Sequence, residues 1–463
     1  MEFRLNAADL SARPDLALEA YRELSPALKQ VQASLHQGKI DALLRLLGNS
    51  NFLARWAKQR PERAAEVLSG ELDAPFLQED YFAEFRGVLG AYQPLDEERL
   101  AQILLDRKYR HLFRISLRDV GMAKPFREIV SEFSALARAV LRSALEFQQE
   151  ALRRDYGPAL AAGEDREIPF CALAMGKLGG DELNFSSDVD LIYFYGSDEG
   201  RVPGRPDLNP HEYFSKLAER LSSFLRRKTA DGFLYRVDLE LRPEGKAGTL
   251  VNSLDAMEAY YESFGADWEK QAMIRCSLAA GDAELCREFL HRIHPFVFPR
   301  VGDFGFLKGL ARMKEKILES IRKGSNPAFH LKLGEGGIRE VEFFVQSLQL
   351  LFGGQNRELQ IPNTLDALPR LREAGLIEPR EEELLSRAYV FLRTMEHRLQ
   401  LVDEEQAHQL PQSEEELVQL ARRLAYDEPD PKRAVDRMLD DLELHRHAVQ
   451  VTFNDLMSKR FEA

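Results

Sequence analysis

Cysteine is scarce in this 463-residue chain: Cys171, Cys276 and Cys286 are the only three, and none forms a Cys-x-x-Cys pair. That scarcity excludes a disulfide framework and a thiolate zinc site, and it points to buried, reduced thiols. Long apolar runs are also missing. No stretch is long enough to span a bilayer, and the opening Met1-Glu-Phe-Arg-Leu lacks a charged-then-apolar signal pattern. The expectation is therefore a cytoplasmic protein with no membrane partner. Positive charge is not in excess either: 63 Lys and Arg face 76 Asp and Glu, a formal net charge of -13. This balance argues against a broad electrostatic footprint for DNA or RNA, so no nucleic-acid partner is expected. Internal repeats and low-complexity linkers are absent as well. The length exceeds what one hydrophobic core usually serves and predicts two or three domains.

Helical periodicity dominates what is present. Leu16 to Leu35, Ile40 to Leu47, Phe52 to Leu68, Leu100 to Val120 and Phe126 to Arg154 read as amphipathic helices. Phe306 to Arg322, Arg339 to Leu351, Asn363 to Ala374, Glu381 to Leu401, Glu414 to Leu424 and Lys432 to Lys459 repeat the pattern and suggest a bundle. Strand-like segments cluster between residues 168 and 252, which places an α/β module inside a mainly α protein. The predicted division is 1–165 (N-terminal helical region), 166–300 (α/β core) and 301–463 (C-terminal helical bundle). The turn-rich loop from Gly196 to Pro210 suits either a substrate gate or a plain surface loop. Trp268 is expected in the core.

Chemistry concentrates in Met175-Gly-Lys-Leu-Gly-Gly-Asp-Glu-Leu-Asn-Phe-Ser-Ser-Asp-Val-Asp-Leu-Ile-Tyr-Phe194. Side chains alternate along a strand, so Asp188 and Asp190 share one face and can offer oxygens to Mg²⁺. Such ions clamp the attacking and leaving oxygens of a displacement at phosphorus. Gly176, Lys177, Gly179, Gly180 and Ser187 are candidates for a phosphate cradle ahead of the acids. The bland alternative is an ordinary turn leading to a solvated strand end, with Lys177 in water.

Downstream of a predicted helix from His211 to Lys228, Tyr235-Arg-Val-Asp-Leu-Glu-Leu-Arg-Pro243 alternates as a strand with Val237, Leu239 and Leu241 inward. Its polar face would carry Arg236, Asp238, Glu240 and Arg242. Beside the first strand, Asp238 would complete a three-carboxylate metal site, and the arginines would neutralise phosphate; the alternative is a solvent-facing salt-bridge ladder. In Gly336-Gly-Ile-Arg-Glu-Val-Glu-Phe-Phe-Val-Gln346, the residues Ile338, Val341, Val345 and Leu348 form an apolar stripe. Arg339, Glu342 and Gln346 lie on an adjacent face, either as a surface set or as part of the site. The paired glycines would expose a helix amino terminus to an anion.

Strand, small-residue turn, Asp-x-Asp strand and a later strand with one acid resemble the polymerase-β-type nucleotidyltransferase superfamily. Four motifs in order narrow the resemblance. They are Gly176 to Ile192, Phe233-Leu-Tyr-Arg-Val-Asp-Leu-Glu-Leu-Arg-Pro243, Asp267-Trp-Glu-Lys-Gln-Ala-Met273 and Gly336-Gly-Ile-Arg-Glu-Val-Glu-Phe343, which look like the bacterial glutamine-synthetase adenylyltransferase/deadenylylase. Weaker similarity includes Phe391-Leu-Arg-Thr-Met-Glu-His-Arg-Leu-Gln400 and His408-Gln-Leu-Pro411. The resemblance implies a small mixed sheet of polymerase-β type flanked by the two helical regions. Only one Ser-Asp-x-Asp signature is present where the family carries two, which looks like one half, and the wording Glu182-Leu-Asn-Phe-Ser-Ser-Asp188 and Gly336-Gly-Ile-Arg-Glu-Val-Glu342 resembles the amino-terminal, AMP-removing half. It further implies Asp188, Asp190 and Asp238 as catalytic metal ligands, Mg²⁺ as cofactor, and site roles for Arg236, Arg242, Arg339 and Glu342. The implied reactants are adenylylated glutamine synthetase and orthophosphate, with ADP as product, and PII signalling protein is the implied partner. AMP attachment and a silent docking module stand as rival readings.

Overall fold

The computed structural model describes residues 4–91, 95–300 and 329–459. Seven helices come first: α1 (Pro14–Gln30), α2 (Gln37–Asn49), α3 (Asn51–Gln59), α4 (Pro61–Ser69), α5 (Gln78–Gly90), α6 (Glu97–Ser116) and α7 (Phe126–Tyr156). The expected single helix from Phe52 to Leu68 is broken at Arg60, because Pro61 has no N–H to continue the first helix and takes the first position of the next. Helix α5 had no counterpart in the sequence reading. Its exposed Leu77 start and weakly segregated apolar residues give it little amphipathic signature.

A mixed sheet of five strands follows, made of β1 (Phe170–Met175), β2 (Val189–Tyr195), β3 (Val237–Asp238), β4 (Val251–Ser253) and β5 (Ser277–Gly281). Strand β1 runs antiparallel between β2 and β5, while β3 and β4 both pair parallel with β2, one towards each of its ends. Between these strands lie α8 (Pro210–Arg226), opened by an Asn209/Glu212 capping box with proline at the first position, α9 (Leu254–Ser263) and α10 (Asp267–Ile274). After the sheet come α11 (Ala283–Val297), α12 (Ile338–Phe352), α13 (Thr364–Glu373), α14 (Pro379–Gln400), α15 (Glu414–Arg423) and α16 (Pro431–Lys459). The mainly α architecture with a small mixed sheet is as the sequence implies. The helix expected over Phe306 to Arg322 lies outside the described residues.

The sheet is a partition between two apolar cores. Phe170, Ala172 and Ala174 of β1, with Val189, Leu191, Tyr193 and Tyr195 of β2, pack with the N-terminal helices. The alternate residues Cys171, Leu173 and Met175, with Ile192 and Phe194, pack with α11, α12, α14 and α16. Period-two alternation thus assigns each neighbour along the strand to a different half of the chain.

Two expectations fail. The strand foreseen over Tyr235–Pro243 is ordered as a strand only at Val237–Asp238. The Asp238 carboxylate accepts the Glu240 amide at 2.7 Å and Arg242 donates to the Leu239 carbonyl at 2.7 Å, which folds the chain into a turn with Glu244 at φ 59°. Trp268 is 40% exposed rather than core. It stands in the first turn of α10, whose buried side carries Glu269, Gln271 and Met273 instead.

Leu173 is fully buried in the central antiparallel pair. Leu173→Ala is expected to cost about 2–5 kcal/mol of unfolding free energy, read from equilibrium urea denaturation.

Candidate functional site

The parallel register of β2 and β3 sets Asp190 directly opposite Asp238, and Val189 opposite Val237. Opposed residues in a ladder point to the same side of the sheet, and Asp188, two residues before Asp190, shares that side. The three carboxylates line one cavity of about 310 Å³ on the face roofed by the C-terminal helices. Two contacts hold the short β3 in place: the Val189 amide donates to the Arg236 carbonyl at 2.9 Å, and Arg226 from the end of α8 donates to the Val237 carbonyl at 2.7 Å. An arginine at the end of α8 thus fixes the strand that carries the third acid.

Charge in this cluster is incompletely neutralised. Burial, then the neighbouring Asp238, push the Asp190 carboxyl up to about 6, with Lys332 opposing the shift. Asp188 is paired with Arg236 at 2.6 Å, and one oxygen of Asp238 accepts the Glu240 amide. Among the described residues these side chains do not close into a three-ligand metal cluster. The donor set nevertheless suits Mg²⁺: hard carboxylate oxygens, crowded enough that one resists ionisation, beside a cavity with room for further oxygen ligands.

The wall opposite the acids comes from the C-terminal half. Lys332, Glu342, Gln400, Gln406 and His408 line it with Arg275. Beneath them runs a buried ionic web. Glu396 of α14 accepts from Lys177 at 2.8 Å and from Asn184 at 2.7 Å, and its other oxygen meets His408 Nδ1 at 2.7 Å. Despite burial, Lys177, His408 and Arg393 hold Glu396 well below the usual carboxylate range, and burial pushes the Lys177 ammonium down to about 8. Glu182 accepts from Arg275, from the Tyr389 hydroxyl at 2.8 Å and from the Thr364 amide at 2.7 Å. Arg393 donates to Asn184 at 2.9 Å and to Tyr389 at 2.7 Å. Glu342 closes the web on Arg275 at 2.6 Å; burial opposes its ionisation, but Arg275 and Arg393 bring it to about 2.

The remaining expected residues divide. Gly176, Lys177, Ser187 and Glu342 line the cavity with the acids. Gly176 sits at φ +56°, and a Cβ there would stand 2.8 Å from an Asp190 carboxylate oxygen. Gly179, Gly180, Arg236, Arg242 and Arg339 do not line it. Gly179 is required by packing, since a Cβ would fall 2.0 Å from the Arg275 carbonyl oxygen, and Gly180 lies against Pro362 and Arg275. Arg236 bonds Asp188 and Ser186. Arg242 is used on the Leu239, Gly248 and Thr249 carbonyls. Arg339 lies over the Phe343 ring, where burial lowers its pKa. At the start of α12, Gly336 (φ +67°) and Gly337 pass against backbone carbonyls of Arg446 and of Leu331, Lys332 and Gly334, so close packing rather than an open amide cradle explains the pair.

The loop from Gly196 to Pro210 leaves the far end of β2, five residues or about 17 Å from Asp190. Gly200–Arg201 pair with Leu160–Ala161, and Asp198 holds Tyr195 and Ser253, so this is a tied surface loop away from the acids. Sequence reasoning missed Glu182, Arg275, Lys332, Arg393, Glu396 and Gln406 as site-forming residues. The two glutamates sit inside quoted motifs, and their signal was a charged residue at positions otherwise occupied by core side chains.

The sequence profile described as glutamate-ammonia ligase adenylyltransferase matches residues 40–292, and that of GlnD PII-uridylyltransferase matches residues 311–457. Among curated proteins, the bifunctional glutamine synthetase adenylyltransferase/adenylyl-removing enzyme of Thioalkalivibrio sulfidiphilus is 37% identical over 90% of this chain and 42% of its own length. The proteins of the same description from Nitrosococcus oceani and Hahella chejuensis are 40% identical over 78% of the chain and 36% identical over 91% of it, covering 37% and 43% of the relatives. The chain thus spans about two fifths of the length of these relatives. The first profile runs through the carboxylate strands and the web residues of the Gly176–Asp190 segment, over more than half of the sequence, and the chain belongs to the glutamate-ammonia ligase adenylyltransferase family.

Proposed function

We propose that this chain removes AMP from an adenylylated tyrosine of glutamine synthetase by phosphorolysis, with orthophosphate entering and ADP leaving. The observation that carries the reading is the opposition of Asp190 and Asp238, with Asp188 on the same face, in a cavity whose other wall presents Lys332 and Arg275. An oxygen of orthophosphate would bond to the α-phosphorus as the bond from that phosphorus to the tyrosyl oxygen breaks. The electron pair leaves on the phenolate, which takes a proton from water because its ordinary pKa is about 10. Orthophosphate is already anionic, so this direction needs no general base, only cations that hold two anions together.

AMP attachment from ATP would instead require the tyrosine to be deprotonated. In the cavity His408 is engaged by Glu396, and Asp238, the other candidate base, already accepts the Glu240 amide. Mg²⁺ held by Asp190 and Asp238, with Asp188 completing the set, would neutralise charge on the attacking and leaving oxygens. Ser187 and Gly176 border the same space and would face phosphate oxygens. The name of the profile matching residues 311–457 supports the C-terminal bundle as the surface for PII signalling protein. We keep the division into N-terminal helical region, nucleotidyltransferase core and C-terminal bundle as the working assignment of these roles.

Two measurements test this reading. Radiolabelled orthophosphate and Mg²⁺ added to adenylylated glutamine synthetase should yield labelled ADP, and Asp238→Asn should lower that rate about 100- to 1,000-fold. AMP transfer from ATP without labelled ADP would reverse the direction, absence of both activities would leave a docking role, and full activity of the variant would remove Asp238 from the catalytic set. The second concerns pH. The folded Asp190 carboxyl holds its proton up to about 6, above the ordinary 3.8, so between these values the folded state binds more protons than the unfolded one. The Asp190 contribution to the stability of the metal-free protein should therefore rise as pH falls through 6 towards 4 and level off below, a slope opposed near pH 4 by the depressed Glu342 and Glu396 carboxyls. Asp190→Asn should flatten that slope and be the more stable protein near pH 7, as read by urea denaturation in chelator; an unchanged slope would contradict the carboxylate crowding.

A further inference from the structure

A second cavity, of about 350 Å³, lies where the N-terminal helices meet the C-terminal bundle. Thr394 and Arg398 of α14 line it, whereas Gln400 of the same helix lines the aspartate cavity and Glu396 supports it. Residues two apart on a helix are turned by about 200°, so the two cavities flank opposite sides of α14.

The lining is cationic in a chain whose net charge is -13. Arg45 comes from α2, Lys124 from the turn before α7, Arg398 from α14, and Arg422 and Arg423 from the last turn of α15. Among the described lining residues only Asp119 and Asp427 are acidic, with Asp403 and Glu416 acting on Arg423 from outside the lining. Asp119 is already saturated by both terminal nitrogens of Arg398 and lies 3.2 Å from His397. The other cations find little compensation among the described residues. Arg45 Nε is buried with no hydrogen-bond partner. Arg423 donates to the Asn49 carbonyl and the Gln419 amide oxygen, neither a carboxylate, and burial pushes its guanidinium down to about 10. Lys124 reaches only the exposed Asp73 at 3.6 Å. Among the described residues, two of the five non-glycine positions with positive φ, Ala123 and Ala425, also border this space. Capping of the α15 dipole accounts for Arg422 and Arg423. It does not account for Arg45 and Lys124, which arrive from other elements.

We propose that this cavity binds a small, multiply charged oxyanion bridging Arg45, Arg422 and Lys124. The site is separate from the aspartates and independent of the direction of AMP transfer. Its volume, at the low end for small-molecule pockets, fits a compact ligand. Dicarboxylates and linked phosphates share the required chemistry, two anionic oxygen groups held a few bonds apart, and guanidinium forks recognise both.

Calorimetric titration of the full chain in chelator, with succinate and separately with pyrophosphate, tests the site. At least one probe should bind saturably at one site, more weakly by about 10-fold or more in Arg45→Gln and Arg422→Gln, and unchanged in Asp238→Asn. Succinate alone would identify a dicarboxylate site, and pyrophosphate alone a phosphate site; either supports the proposal. Lys124→Gln, at the rim, should weaken binding several-fold without disturbing a buried group, and decides the matter if the arginine variants unfold. No saturable binding by either probe, equal affinity in Lys124→Gln and the folded arginine variants, or loss of binding in Asp238→Asn would overturn it.

Discussion

The buried carboxylates Glu182 and Glu396 hold this structure to its shape at the centre. Each lies on the seam between the nucleotidyltransferase-like sheet and helix α14, and each collects donors from both sides. Burying such charges carries a desolvation cost of several kcal/mol per ion, and the web offsets it only because nearly every oxygen is met. Loss of one partner would leave a charge stranded in the interior, typically at a cost of 3–5 kcal/mol. This makes the seam intolerant of partial change. The segment from Gly176 to Asp190 is therefore fixed from behind by groups far away in sequence, and the aspartates inherit their positions from that fixing.

This arrangement explains what could and could not be read from the chain. Asp188 and Asp190 are legible because strand alternation is a local rule, and the helices of both flanks are legible because their apolar stripes repeat at the helical period. The register that brings Asp238 opposite Asp190 follows from a long-range pairing that no local pattern encodes. The alternation of Tyr235 to Leu241 pointed to a longer strand, yet the same polar side chains that made it look like a strand cap and turn the backbone. Arginine proved the least legible residue. Arg236, Arg242 and Arg339 sit in motifs and attract a phosphate-binding reading, but their donors are used on Asp188, on backbone carbonyls and on an aromatic face. Lys332 and Arg275, which do reach the cavity, carry no pattern that sets them apart. The paired glycines before α12 mislead in the same way: they answer to a close approach of the Arg446 backbone, not to a ligand.

The third acid stands on an element too short to define itself. Two residues of strand cannot resist fraying by their own ladder bonds, so β3 depends on Arg226 gripping the Val237 carbonyl and on the Arg236 carbonyl accepting from Val189. Arg236 in turn carries the Asp188 carboxylate. The end of α8, the start of β2 and β3 thus form one small mechanical unit, and the spacing of the acids is set by neutral carbonyls as much as by charge.

The alternation of the sheet has a further consequence for how the molecule can be taken apart. Beside the β1 side chains and helix α9 on the same side, Ile192 and Phe194 are covered by helices that follow β5, with Phe289 of α11 4.9 Å from Phe194 between ring centres. A polypeptide ending after β5 would present that greasy surface, and the acidic cluster beside it, to bulk water. Such a piece would be sticky and short-lived in isolation. Supplied in trans, the severed bundle would be drawn back onto the sheet by the same surface, so the two halves could reassemble as complementing fragments without any peptide bond between them.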